Sequence, residues 1–168
     1  MVTKTSGETR VNGRRRAIPR ADVGGTLVEL HRAANAVRHH VEQAVLRHKN
    51  LSWTGFVVLR EVYTAERIET REAAVRAGIA KATLTGVVNT LVRRNLLRRI
   101  QHPDDGRLVL LEVTARGKRL LRDILPASQA EEIFTLGHLD DAQITHVHEL
   151  MRKLVVHLDG DEAHDRRS

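Results

Sequence analysis

The stretch "TREAAVRAGIAKATLTGVVNTLVRRNLLRRIQHPDDGRLVLLEV", residues 70–113, leaves its backbone few options. Gly78 closes one helix-compatible run and Asn95 closes a second. Glycine, and after it asparagine, best tolerates the left-handed conformation in which helices stop. Thr70 reads as the cap of the first run, "REAAVRA". In the second, Leu84, Val87, Val88, Leu91 and Val92 recur at helical spacing. Two short helices joined by a glycine-containing turn predict a helix-turn-helix. Beyond Asn95, Leu96–Gln101 and Leu108–Val113 are β-compatible runs on either side of "HPDDG". A hairpin follows, with Pro103 presetting φ and Asp-Gly favouring a tight turn, so that Pro103, Asp104 and Gly106 form its tip.

The flanks are helical. Val23, Leu27, Leu30, Ala34, Val37, Val41 and Leu46 predict a long helix over about 22–48. Ser52 caps the next, with Phe56, Leu59, Val62 and Tyr63 facing inward. Thr114 caps a helix that Pro126 should kink or end. Ile144, Val147, Met151, Leu154, Val155 and Leu158 share one face of a last helix over about 141–158. Residues 1–20 read as a disordered basic arm and 159–168 as a disordered tail. The aromatics are Trp53, Phe56, Tyr63 and Phe134 alone, so the core must be aliphatic, which suits packed helices. The expected fold is mainly α with a small β-hairpin wing: a winged helix-turn-helix. One domain spans 21–158, with its functional lobe over about 52–113. The apolar stripes at its two ends would lie exposed unless a second copy covers them.

Charge narrows the function. Residues 71–122 hold twelve basic and four acidic side chains, net +8, while 123–158 are net −4. One cationic face is implied. The chain has no cysteine, which excludes disulfides and thiolate metal sites and is compatible with a cytoplasmic protein. No apolar run approaches the roughly 20 residues of a membrane span, and the N-terminus lacks the apolar segment of a secretory signal. A cytoplasmic location with no membrane partner is the expectation. No serine-centred elbow, glycine-rich phosphate loop or carboxylate pair stands out, so no enzyme and no cofactor is expected. The ten histidines read as solvated or capping, not as metal ligands; His146 and His148, two apart, point to different faces.

The B-DNA major groove, about 12 Å wide, admits one helix with small polar side chains. Lys81, Ala82, Thr83, Thr85, Gly86 and Asn89 lie off the Leu/Val stripe and fit that requirement. Threonine offers a methyl group to thymine, asparagine can pair with adenine, and lysine can reach guanine or phosphate. Gly86 costs roughly 1 kcal/mol in mid-helix relative to alanine, which points to a close approach by DNA or by a neighbouring helix. Arg93, Arg94, Arg98 and Arg99 are candidates for phosphate contacts or for surface charge beside the wing. The alternative is a winged helix used as a protein–protein docking module, its basic face binding an acidic partner. Single-strand RNA binding is disfavoured by the scarcity of stacking aromatics.

Over about residues 22–158 the sequence resembles the MarR family of bacterial transcriptional regulators. The resemblance rests on "LSWTGFVVLREV", "ATLTGVVNTLVRRNLLRR" and "HPDDGRLVLLEVTARGKRLL", the last with an Asp-x-Arg pair and a Thr-x-x-Gly. It implies a homodimer whose first and last helices interdigitate, bound to double-stranded DNA at a palindromic operator. Repression relieved by a small molecule is the usual mode. By the same resemblance Arg107 is the wing arginine that enters the minor groove, and Asp105 holds its guanidinium. Trp53 and Phe56 lie near where the family binds aromatic effectors, although as rare aromatics they also suit the core. The chain departs from the family at Ala80, where serine is frequent, at Asn95 in place of glycine, and at Gly106, where a second arginine is common.

Overall fold

The computed structural model describes residues 23–165, with side chains described over 25–158. The expected basic arm lies outside the described residues, as do the side chains of the expected tail. The chain divides into two compact units, Met1–His40 and Val41–Ser168.

The described part of the first unit is helix α1, Val23–Val41, whose last residue already belongs to the second. Its surface carries Leu27 (66 % exposed) and Val28 (55 %) beside polar pairs such as Arg32–Glu29. The regular helix does not continue to His48. It gives way to a wide turn, Glu42–Leu46, and a tight one, Arg47–Lys49, ended by Asn50 in the left-handed region at φ 52°. The extra residue in the wide turn shifts the helical phase, so that Val41, Val45 and Leu46 all reach the buried side.

Helix α2, Trp53–Thr64, is capped as its sequence predicts: Ser52 Oγ accepts from the Gly55 N–H at 3.1 Å. A second cap comes from Glu42, whose carboxylate accepts from the Trp53 N–H at 2.7 Å. Phe56, Val58, Leu59 and Val62 are buried, whereas Tyr63 is 40 % exposed and does not face the core. Glu66, at φ 60°, turns the chain into strand β1, Arg67–Glu69, which sequence reasoning missed because three residues carry no readable alternation. Helix α3 is Thr70–Arg76, and Thr70 is inside it rather than at its cap. The Thr70 hydroxyl instead donates to the Val109 carbonyl at 3.3 Å, tying α3 to the sheet.

Helix α4, Lys81–Arg93, lies between two left-handed stops, Gly78 at φ 62° and Asn95 at φ 56°. Strands β2, Leu97–Gln101, and β3, Val109–Val113, form the hairpin. With β1 they make an antiparallel sheet in the order β1-β3-β2, so β3 is central and the wing is three-stranded at its base. Glu112 stands opposite Arg67 on one side and Arg98 on the other.

Thr114 caps helix α5, Ala115–Leu136, accepting from the Gly117 N–H at 3.1 Å. Its hydroxyl donates to the Asn95 carbonyl at 2.6 Å, which links the start of α5 to the end of α4. Gly117 is where helix and sheet meet: an added Cβ would stand 2.3 Å from the Leu96 carbonyl oxygen and 2.7 Å from Val113 Cγ1. Pro126 does not end α5. It deprives the Arg122 carbonyl of its helical donor, but both residues are exposed, where water can take the donor's place. Helix α6, Asp141–Asp165, is started by a reciprocal box between Asp140 and Gln143 and runs beyond Leu158 into the stretch read as a tail.

The core gathers Leu46, Leu59, Leu84, Leu91, Leu96, Leu97, Leu111, Leu121 and Ile124, with Phe56 its one buried aromatic ring among the described residues. No polar side chain among the described residues is buried.

Candidate nucleic-acid interface

Leu84, Val88 and Leu91 are at most 1 % exposed, and they fix the rotation of α4 about its axis. That rotation turns Lys81, Ala82, Thr83, Thr85, Gly86 and Asn89 outward together, all exposed. Ala80 precedes the helix in extended conformation and supplies no side-chain cap. The threonine hydroxyls bond back along the helix: Thr85 donates to the Lys81 carbonyl at 3.0 Å and Thr90 to the Gly86 carbonyl at 3.1 Å. Their protons are thus engaged, and what they present outward is an acceptor oxygen and a methyl group. Thr90, also exposed, belongs to this surface although the sequence reading passed over it; its place one turn beyond Gly86 was the available signal. A Cβ added at Gly86 meets nothing within 4 Å. A neighbouring helix therefore does not require the glycine, and its open backbone faces outward.

The four arginines offered as phosphate contacts or as surface charge beside the wing all have partners inside the chain. Arg93 donates to the Thr90 hydroxyl at 3.1 Å. Arg94 donates to the carbonyls of Lys49, at 2.9 Å, and Asn50, and so ties the end of α4 to the turn before α2. Arg98 pairs with Glu112. Arg99 reaches from β2 to α4, where its Nη2 donates to Asn89 Oδ1 at 2.7 Å. Glu112 also accepts from Arg67 Nε at 3.1 Å. These hydrogen bonds, from Arg98 first and Arg67 second, hold the Glu112 carboxyl below its usual range.

The wing tip differs in detail from a tight Asp-Gly turn. The Leu108 N–H donates to the Asp105 carbonyl at 3.0 Å, so Gly106 and Arg107 occupy the centre of the turn. His102 Nδ1 accepts from the backbone N–H groups of Asp104 and Asp105, at 3.2 and 3.3 Å. Gln101 Nε2 donates to the Gly106 carbonyl at 3.0 Å, and a Cβ at Gly106 would stand 2.9 Å from that amide. That amide is the far end of a flexible side chain and could move aside, and Gly106 has no left-handed φ, so nothing in the structure requires the glycine. Asp105 does hold Arg107, but through the backbone: its Oδ1 accepts the Arg107 N–H at 2.9 Å. The Arg107 side chain is exposed and is left to project from the loop. Gln101 and His102, which fasten this loop, were legible only as polar residues beside a turn.

Trp53 and Phe56 stack at a tilt, ring centroids 6.0 Å apart, and Phe56 is 3 % exposed. Phe56 is therefore a core residue, with Trp53 packed against the core. Neither lines the cavity of about 310 Å³ beside them. That space lies between Asn50, Leu51, Ser52 and Gly55 on one side and Gly86, Val87, Thr90, Leu91 and Arg94 on the other. Among the described residues, no three His, Asp or Glu side chains are grouped to hold a metal ion, and no helix is long and apolar enough to cross a membrane.

This geometry has counterparts among known proteins. Residues 51–109 match the model of the MarR family. YwaE of Bacillus subtilis, described as an uncharacterized HTH-type transcriptional regulator, is 35 % identical over 97 residues. That alignment covers 58 % of this chain and 57 % of YwaE, so it spans little more than half of the relative. BpsR of Bordetella bronchiseptica, whose DNA binding is regulated by 6-hydroxynicotinic acid, is 27 % identical, with a TM-score of 0.70 over 77 % of this chain and 97 % of its own. Sco3205 of Streptomyces coelicolor, solved in complex with DNA, shares the fold with a TM-score of 0.75 at 22 % identity, over 84 % of this chain and 94 % of its own.

Proposed function

This chain belongs to the MarR family, and we propose that it is a homodimeric, sequence-specific DNA-binding transcriptional regulator that represses from a palindromic operator. The observation that carries the reading is the outward face of α4, where small, polar and cationic side chains stand together on a helix clamped by a fully buried stripe. Such a helix suits the major groove. Arg107, projecting from a loop held by four backbone-directed hydrogen bonds, suits a minor groove, whose negative potential favours an inserted arginine. The apolar residues exposed on α1 and on α6 supply the dimer surface.

Release by a small aromatic effector is part of the proposal, and its place is the cavity between α4 and the start of α2 rather than the Trp53–Phe56 pair. A volume of about 310 Å³ is at the lower end of small-ligand sites. A carboxylate entering it would compete for Arg94 and loosen the tie between α4 and the Lys49–Asn50 turn. The control of BpsR by 6-hydroxynicotinic acid supports testing aromatic acids first.

The test is an electrophoretic mobility shift on the DNA upstream of the gene, repeated over a range of salt. If around eight phosphates are neutralised per dimer, log affinity falls with log salt at a slope near −7. Arg107→Ala lowers affinity about tenfold while the protein stays folded. A slope near zero, or a protein that binds an acidic polypeptide and no duplex, would replace this reading with the docking module.

A further inference from the structure

We propose that Arg99 decides which base Asn89 reads, making the two side chains a donor-only head that selects guanine over adenine. The inference rests on the proposal that α4 lies in a major groove.

Asn89 is exposed on the outward face of α4, and an asparagine there can pair with adenine. That role needs both ends of its amide: Oδ1 accepts from the adenine N6 amine while Nδ2 donates to N7. The fold removes one of them. Arg99, ten residues on in β2, places Nη2 2.7 Å from Asn89 Oδ1. A guanidinium has five N–H donors and no acceptor, so the amide oxygen must face it, and the two Nδ2 protons point away. The bond is charge-assisted, hence stronger than a neutral one.

Among the described residues no acid pairs with Arg99. Leu111 stands opposite Arg99 in the register, and the carboxylate next to it on β3, Glu112, is occupied by Arg98 and Arg67. The guanidinium also keeps N–H groups to spare. The pair therefore offers several donors and little acceptor capacity. The protons of Thr85 and Thr90 are spent on the helix backbone, so beside the pair these residues add acceptor oxygens and no donors.

Guanine presents two adjacent acceptors in the major groove, O6 and N7; adenine presents one acceptor and an amine. Set against a donor-only head, guanine satisfies it, while the adenine amine opposes donor to donor and leaves a desolvated group unpaired. Arg99 thus acts through Asn89 as a positioning residue, distinct from a cation that grips phosphate regardless of sequence.

The experiment is selection of bound duplexes from random DNA by the full-length protein and by Arg99→Ala, Asn89→Ala and the double variant. Competition binding on the selected site and on its single-base changes follows. The expected wild-type result is a guanine preferred about tenfold over adenine at one position of each half-site. Arg99→Ala moves that position toward adenine and leaves the others alone, because the freed amide can then clamp adenine. Asn89→Ala flattens the position, and in that background Arg99→Ala shifts no base preference. Both side chains are exposed, and circular dichroism checks that each variant is folded. Arg99→Ala lowering affinity equally for every sequence, with the base profile unchanged, would overturn the inference while leaving DNA binding intact. Failure of the wild-type protein to select any sequence would overturn the inference together with the proposed function.

Discussion

Helices α4 and α6 carry the same kind of apolar stripe and meet opposite fates. In α4, Leu84, Val88 and Leu91 are at most 1 % exposed. In α6, Val147, Met151, Val155 and Leu158 stand 41–56 % exposed. The α4 stripe finds its partners within the chain, in α2, α3 and β2. The α6 stripe has no comparable cover. Periodicity thus shows that a face is to be covered without saying by what. Inward burial makes α4 a rigid mount whose other face is free for polar work, whereas the bare stripe of α6 is where a second copy would have to fit.

The sharpest way to break this contrast is to truncate one stripe at a time. Leu91→Ala should destabilise the fold by ~2–5 kcal/mol, the usual cost of a leucine removed from a packed core, as read by denaturant unfolding. Val155→Ser at low protein concentration should barely register in the same assay. Equal losses for the two would erase the distinction.

Gly117→Ala tests what holds the α4–wing unit to α5. Its new methyl would meet the Leu96 carbonyl and Val113, so the helix start must shift, at ~1–3 kcal/mol or more. An unchanged melting temperature would show that the contact yields freely. Replacing Val147, Met151 and Val155 together by serine should raise the dimer dissociation constant about a hundredfold and leave the protomer folded. Sedimentation that finds the same mass for variant and parent would remove α6 from the dimer surface.

The smallest effect concerns Glu112. Its carboxyl is held low by Arg98 and Arg67, so the bridge contributes stability above the ordinary carboxylate pKa and loses it as pH falls through the lowered value. Wild-type protein should therefore lose its margin over Glu112→Gln on acidification below the ordinary carboxylate range. The change is small because both arginines are about 60 % exposed and screened by water. A margin that grows on acidification would contradict the assigned direction.

Much of the α4–wing unit was legible because its signals are local. Gly78 and Asn95 do adopt the left-handed conformation, and Ser52 and Thr114 accept the N–H bonds expected of caps. The outward set from Lys81 to Asn89 followed from knowing where the leucines and valines point. Other readings failed where a partner lies far off in sequence. Thr70 looked like a cap until the Val109 carbonyl came within reach of its hydroxyl. Strand β1 was invisible because β3, not its own alternation, makes it a strand. Asp105 was paired with the wrong end of Arg107, because the turn centres one residue later than Asp-Gly suggests.

By itself the sequence determined where helices begin and stop, which faces are apolar, and which side chains could stand on the outward face of α4. These depend on caps, stops and spacings within three or four residues, where backbone sterics and helical geometry leave little choice. Only the tertiary structure decided the employment of the arginines: Arg94 on carbonyls 44 and 45 residues away, Arg67 on Glu112, Arg99 on Asn89. A guanidinium on a long side chain bonds whichever acceptor the fold brings within reach. Which acceptor that is depends on strand register and helix packing, and no local pattern encodes either.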